Sequence, residues 1–136
     1  MILTLKEKDF KNEQQFKMAF LKLKSKDLTC ICIETEETIK GFPDVMVIDE
    51  QNIVYFEEYK YTKTGTIKFQ STQPAFYKKY KKFVIFIVAF NAKSNKVHYF
   101  PVEELFTKGS PYRLSDIATV DLNKAEKMYE SVRGIK

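Results

Sequence analysis

The sequence predicts an α/β fold in which a central mixed sheet is flanked by helices, and three patterns support this class. Near the N-terminus, apolar residues such as Phe16 and Phe20 recur with the spacing of an amphipathic helix. Two short apolar runs, Val45–Ile48 and Ile53–Phe56, flank a polar segment, which is typical of a β-hairpin. The run Phe83–Phe90 is apolar throughout and therefore predicts a strand buried on both faces at the sheet centre.

The first helix is expected over Asp9–Lys26, with Asp9 or Asn12 as its capping residue. Its lysines, including Lys24, are expected to lie outside the apolar stripe. The remaining expected elements are, in order, a strand at Leu28–Ile33, a loop at Glu34–Lys40, the hairpin, a polar loop at Tyr61–Lys68, a helix from Gln70 or Ser71 to about Lys82, the central strand, a turn at Asn91–Asn95, a strand at Val97–Phe100, a turn or short helix at Pro101–Leu105, a loop at Thr107–Asp116 and a last helix at Leu122–Val132.

Length and charge restrict the class of protein. The chain has 136 residues, so residues 1–136 are expected to form one domain with one core. The net charge of +5 favours an anionic partner, and nucleic acid before a membrane. Charge alone leaves open a basic protein that binds no such partner.

The cysteines and the N-terminus indicate a reducing compartment. Cys30 and Cys32 share one face of a predicted strand, where they are poorly placed for a disulfide, and we expect both to be buried small apolar residues. With His98 as the one histidine, the chain has too few ligands for a zinc site. No signal peptide and no apolar run of about 18 residues is present, so a cytoplasmic location without a membrane span is expected.

Two acidic residues and one basic residue are expected to meet at one end of the hairpin. Asp44 begins the first strand, while Glu58 and Lys60 lie on one face at the end of the second. The start of one antiparallel strand lies beside the end of the next, so the three side chains converge. Paired carboxylates suit Mg²⁺, and a neighbouring ammonium group orients water or neutralises charge on a phosphate. This set predicts metal-assisted phosphodiester hydrolysis.

These residues resemble the signature of the PD-(D/E)XK nuclease superfamily. Pro43-Asp44 matches the first half of its motif and Glu58-Tyr59-Lys60 the second, and the predicted element order is similar to its restriction-endonuclease-like αβββαβ core. Glu57 is also available, but it points to the face opposite Lys60, so Glu58 is preferred. The resemblance covers about residues 9–105 and leaves 106–136 as a C-terminal extension.

Two further positions are similar to the RecU-type Holliday-junction resolvases and the VRR-NUC branch of that superfamily. Glu13 lies in the first helix, where those relatives often carry a metal-linked Glu. The resemblance implies that it completes the outer metal shell or holds a second ion, whereas a plain surface Glu remains the alternative. Gln73 opens the second helix, and the resemblance implies that it orients Lys60 or a scissile phosphate oxygen.

The resemblance implies a Mg²⁺-dependent DNA endonuclease, with Mn²⁺ as a possible substitute. Asp44, Glu58 and the Tyr59 carbonyl would bind the metal, and Lys60 would position the attacking water. Basic side chains would hold the phosphate backbone without reading sequence. These are Lys63, Lys68, Lys78, Lys79, Lys81 and Lys82.

The expected substrate is branched DNA, because no base-reading module is recognisable. A resolvase role in DNA recombination and repair requires two symmetric nicks and so implies a homodimer. Two alternatives stay open, namely a non-catalytic nucleic-acid-binding or assembly module on the same fold and a nuclease subunit that needs a partner. DNA or RNA as substrate, and a viral, phage or cellular source, also stay open.

Overall fold

The computed structural model describes residues 10–24, 28–33, 41–94 and 96–118, which form two helices and seven strands. The elements are α1 (Glu13–Lys24), β1 (Thr29–Cys32), β2 (Val45–Ile48), β3 (Val54–Thr62), β4 (Thr66–Ile67), α2 (Thr72–Lys79), β5 (Ile85–Asn91), β6 (Lys96–Pro101) and β7 (Tyr112–Arg113), with 3₁₀ turns at Val102–Leu105 and Leu114–Asp116. The loop predicted at 34–40 and the helix predicted at 122–132 lie outside the described residues.

The main sheet is mixed, as the sequence predicts. Its five strands are ordered β1-β2-β3-β5-β6, and β4 pairs with β7 in a separate small ribbon. The β3–β5 pair is parallel, and the other pairs are antiparallel. A parallel pair needs a crossover connection, and α2 lies within it. The fold class, a mixed sheet with helices, is therefore confirmed.

Each face of the sheet carries its own apolar core. On one face, Phe16 and Phe20 of α1 pack against Tyr59 and Phe90. On the other face, Phe76 and Tyr77 of α2 belong to a second cluster. Side chains alternate along β3, so Tyr59 faces α1 while its neighbours Glu58 and Lys60 face the α2 side.

A buried ion pair joins α1 to β3. Lys24 at the end of α1 bonds to Glu57, and both residues are almost fully buried. The Glu57 carboxylate also accepts hydrogen bonds from the hydroxyls of Tyr59, at 2.9 Å, and Tyr99, at 2.6 Å. The Lys24 ammonium lies 5.4–5.6 Å from the ring centroids of Phe20, Tyr55 and Tyr99. Lys24 therefore lies in the core, and the expectation that it lies outside the apolar stripe is wrong.

The hairpin turn is built on Asp49. Its Oδ1 accepts hydrogen bonds from the main-chain N–H groups of Gln51, at 2.8 Å, and Ile53, at 3.0 Å. Asn52 adopts a φ of +64°, a left-handed conformation that Asn tolerates better than most residues. The turn fixes a register in which Val45 pairs with Glu57. Asp44 is consequently set beside Glu58, midway along β3.

Several predicted boundaries are wrong. Helix α2 ends at Lys79, and β5 begins at Ile85, where pairing with Phe56 begins; Phe83 and Val84 lie outside the sheet and are exposed. The predicted loops at 61–68 and 107–116 contain the end of β3, β4 and β7. Tyr112, Leu114 and Ile117, which lie in the predicted C-terminal extension, pack onto the α2-side core. Cys32 is exposed and Cys30 half-buried, because β1 is an edge strand; neither is fully buried as predicted.

None of the helices in the described ranges has the length and apolar character needed to cross a membrane.

We predict that Lys24→Met lowers the free energy of unfolding by about 3–5 kcal/mol, because it leaves the Glu57 carboxylate buried without its cation. Urea denaturation followed by circular dichroism measures the change. The matched control is Arg113→Ala, which breaks an exposed ion pair with Asp116 of 3.4 Å and should cost less than about 1 kcal/mol. Equal effects of the two substitutions would show that the buried pair contributes no more than a surface one.

Candidate active site at the end of the hairpin

Asp44 is held against the middle of β3 by a main-chain hydrogen bond. Its Oδ2 accepts from the N–H of Tyr59 at 2.9 Å. Because Val45 opposes Glu57, this bond forms just beyond the paired part of the hairpin, where the N–H of β3 has no strand partner on that side. Asp44 therefore lies beside Tyr59, the residue that follows Glu58, and its charge acts on the Glu58 carboxyl group.

Gln73 links Glu58 to Lys60. Its Nε2 donates to Glu58 Oε2 at 2.8 Å, and its Oε1 accepts from Lys60 Nζ at 3.2 Å. The direct distance from Lys60 Nζ to Glu58 Oε2 is longer, at 3.9 Å. Gln73 is itself fixed at the start of α2, where its Oε1 also accepts from the N–H of Gln70 at 3.1 Å. One amide therefore sets the positions of both the carboxylate and the ammonium group.

Burial raises the pKa of the Glu58 carboxyl group. Only 4% of the residue is exposed, and loss of solvent together with the nearby Asp44 charge raises the pKa of Glu58 from 4.5 to about 8. The Lys60 ammonium and the Gln73 hydrogen bond oppose this pKa shift without cancelling it. Perturbed carboxyl groups of this kind concentrate at functional sites.

Glu13 lies at the edge of this cluster. Asn12 caps α1, since its Oδ1 accepts from the N–H of Gln15 at 2.9 Å, and Glu13 is the first helical residue. Glu13 is exposed, yet desolvation and then the Asp44 charge raise its pKa, while Lys60 lowers it. The first turn of α1 therefore lies within electrostatic reach of the predicted site.

Two carboxylates and one main-chain carbonyl at this site could serve as oxygen ligands for a hard cation such as Mg²⁺. Among the described residues, no three Asp, Glu, His or Cys side chains are close enough to hold a metal ion by themselves. Glu58 Oε1, however, is buried and accepts no hydrogen bond from any residue within the described ranges. The Tyr59 carbonyl lies on the same edge of β3 as its N–H, which contacts Asp44. Asp44, Glu58 and that carbonyl thus fit the oxygen ligands that Mg²⁺ prefers.

Gly41 brings the Asp44 loop against the start of α2. Its φ is +86°, and a Cβ built there would lie 2.4 Å from the carbonyl oxygen of Thr72. Only glycine permits both this conformation and this approach. The loop that carries Asp44 and the helical turn that carries Gln73 are consequently packed together as one unit.

Two residues at the site were not predicted from the sequence. The Phe69 ring centroid lies 4.5 Å from Lys60 Nζ, a cation–π contact that holds the ammonium group from a second side. Tyr77 is buried one turn after Gln73, and its hydroxyl has no hydrogen-bond partner in the part of the chain that is described. Burial, and then the charges of Glu58 and Asp44, raise the pKa of Tyr77. The spacing of Gln73 and Tyr77 on one helical face was the available signal.

The predicted nucleic-acid-binding lysines fall into two groups, and all of them are exposed. Lys63 and Lys68 lie in the segments on either side of β4, near the candidate site. Lys78, Lys79, Lys81 and Lys82 lie at and after the last turn of α2, which is the helix end farther from Gln73.

We predict that Glu58→Gln stabilises the metal-free protein increasingly as pH rises from about 5 to about 8. Because the pKa of Glu58 is raised by folding, the folded wild type binds a proton that the unfolded chain releases, and it loses that advantage as pH rises through the folded pKa. Glutamine has no proton to lose. The difference in unfolding free energy should grow by up to ~1.4 kcal/mol per pH unit and then level off. Urea titrations in EDTA measure it, and a pH-independent difference would contradict the raised pKa.

No protein-family model matches the sequence, and no curated protein matches it either. Among solved structures, the chain is similar to Hjc, a Holliday junction resolvase of the archaeal hyperthermophile Archaeoglobus fulgidus. The match has a TM-score of 0.54 at 12% sequence identity and covers 73% of this chain and 84% of the other. At that identity the likeness concerns the fold alone. The chain therefore has the α/β fold of this resolvase, with a mixed central sheet between its helices.

Proposed function

We propose that this protein is a metal-dependent endonuclease that hydrolyses phosphodiester bonds in branched DNA. The observation that carries the proposal is the convergence of Asp44, Glu58 and Lys60, with Gln73 bonded to both Glu58 and Lys60. These residues match the PD-(D/E)XK motif, and the shared fold with a Holliday junction resolvase supports the same class of activity.

Asp44, Glu58 and the Tyr59 carbonyl would hold Mg²⁺, or Mn²⁺ in its place, and Glu13 would act from the outer shell. The bound ion supplies Lewis-acid stabilisation of the phosphate and a nucleophilic water. Asp44 is already oriented for this role by the Tyr59 N–H. Glu58 presents Oε1 with no competing hydrogen bond among the described residues.

Lys60 stabilises negative charge that develops on the scissile phosphate and orients the attacking water. Its ammonium group is held by Gln73 Oε1 and by the face of Phe69, so little reorganisation is needed when the phosphate arrives. A fixed ammonium group acts on one phosphate oxygen rather than on bulk water, so the position of Lys60 would matter as well as its charge.

The substrate class follows from the basic side chains and the scaffold. Lys63 and Lys68 are exposed beside the site and would contact the phosphate backbone, which carries no sequence information. Between Glu58 and Glu103 the sequence contains no acidic residue. Two symmetric nicks across a junction require a twofold homodimer. Because the lysine contacts would be to the phosphate backbone, we propose cutting that depends on the structure of the DNA rather than on its sequence.

We predict that Asp44→Asn and Lys60→Met each lower the cleavage rate by about 100-fold or more, because each removes one charge that stabilises the transition state. The assay compares a four-way junction, a flap, linear duplex, single-stranded DNA and RNA in Mg²⁺, Mn²⁺ or EDTA. Asp116→Asn and Lys96→Met are matched controls, since both residues are exposed and lie outside the site. They should cut at nearly the wild-type rate.

Binding in EDTA separates the outcomes of that experiment. Asp44→Asn and Lys60→Met should bind the junction within a few-fold of the wild type while failing to cut it. Wild-type cutting by both variants would show that the site is elsewhere. Salt-sensitive binding by the wild type with no cutting of any substrate would instead identify a non-catalytic nucleic-acid-binding module.

A further inference from the structure

Residues 78–84, at and after the end of α2, form a continuous exposed stretch. It contains four lysines and two aromatic residues, which together we call the aromatic–lysine surface. Its members are Lys78, Lys79, Tyr80, Lys81, Lys82 and Phe83. Tyr80 and Phe83 are each 39% exposed, although large aromatic side chains are normally among the most buried. Isolated exposed apolar residues need no explanation, but a contiguous group of them does.

The two exposed rings are held on a rigid base. Tyr80 and Phe83 stack with their centroids 5.7 Å apart and their planes at 16°. The buried Phe76 lies below them, with its centroid 4.6 Å from that of Tyr80. The Lys79 ammonium lies 5.4 Å from the Tyr80 ring centroid. The surface therefore presents flat apolar faces next to positive charge.

Main-chain bonds fix this segment between α2 and the sheet. The N–H of Tyr80 donates to the Phe76 carbonyl at 2.9 Å, and the N–H of Phe83 donates to the Tyr80 carbonyl at 3.1 Å. The Val84 carbonyl accepts from the N–H of Phe56 at 2.9 Å, which joins the segment to β3. The rings are thus presented without a large entropic cost of ordering them on binding.

Charge decides between two kinds of occupant. A second copy of this chain, related by a twofold axis, would bring the same lysines towards each other. No Asp or Glu in the stretch from Tyr59 to Val102 is available to compensate them. A strand of nucleic acid complements both the charge and the aromatic rings of this surface, because its phosphates would contact the lysines and its bases would stack on the rings. Bases in duplex DNA are already stacked on each other, so the fitting ligand is an unpaired strand.

We propose that the aromatic–lysine surface binds unpaired nucleotides of a branched DNA substrate. Gln73 and Tyr80 are separated by about 10 Å along α2 at the usual helical rise. The bound bases would therefore lie within a few nucleotides of the candidate active site. The placement relative to the cut rests on the proposed function, whereas the binding of unpaired nucleotides does not depend on cleavage.

The test measures binding in EDTA, so that cleavage plays no part in it. Fluorescence anisotropy compares a labelled oligothymidylate of about 12 nucleotides with a blunt duplex of the same length, because single-strand binders cover sites of this size. The variant is Tyr80→Ala/Phe83→Ala. The matched control is Met18→Ala/Ile31→Ala, which removes two exposed apolar side chains on α1 and β1. A second variant, Tyr80→Phe/Phe83→Tyr, retains both rings.

The alanine variant should bind the single strand at least about tenfold more weakly and the duplex within about twofold of the wild type. Its salt dependence should not change, because all four lysines remain. The control and the ring-retaining variant should bind as the wild type does. An unchanged affinity for the single strand, or an equal loss on the duplex, would overturn the proposal. Conversion of a dimer to a monomer in light scattering would also overturn it and assign the surface to a second copy.

Discussion

The buried contact between Lys24 and Glu57 is the constraint on which the arrangement of the helix and the sheet depends. An uncompensated charge in an apolar core is costly, so the carboxylate of Glu57 can be buried only where the end of α1 supplies a cation. Two tyrosine hydroxyls complete the remaining acceptor sites of that carboxylate. Because α1 is thereby fixed along β3, its first turn, with Glu13, comes within electrostatic reach of Asp44 and Lys60.

The candidate site on the opposite face follows a different electrostatic logic. Glu57 has a full set of partners, whereas Glu58 is buried with one oxygen lacking any among the described residues. Gln73 fixes the position of Glu58 but donates to only one of its oxygens. Structural carboxylates are normally satisfied, and a buried carboxyl group kept partly unsatisfied, with a raised pKa, is characteristic of sites that act on a ligand. Stability and the proposed chemistry are thus assigned to neighbouring residues on opposite faces.

The sequence predicted the parts of this design that repeat with a short period. Alternation along β3 distinguished Glu58 from Glu57, and the polar turn at Asp49 located the hairpin. The sequence did not predict the tertiary contacts. Lys24 meets Glu57 across 33 residues, and nothing in the helical pattern distinguishes this lysine from those on the surface. The pairing of β4 with β7 involves two residues from each strand, too few for any periodicity. Phe83 and Val84 belong to the same apolar run as β5, although the strand begins only at Ile85.

The adjacency of Glu57 and Glu58 affects how strictly the pairing register of β3 is fixed during folding. A chain in which β3 slipped by one position would exchange the two glutamates between the faces, and Tyr59 and Lys60 would exchange with them. Either Glu58 or Lys60, depending on the direction of the slip, would then replace Tyr59 against Phe16 and Phe20, which places an unpaired charge in the apolar core. Misassembled molecules would be too unstable to persist and would be open to proteolysis. The register that buries Tyr59 is therefore the same register that places Glu58 and Lys60 at the candidate site.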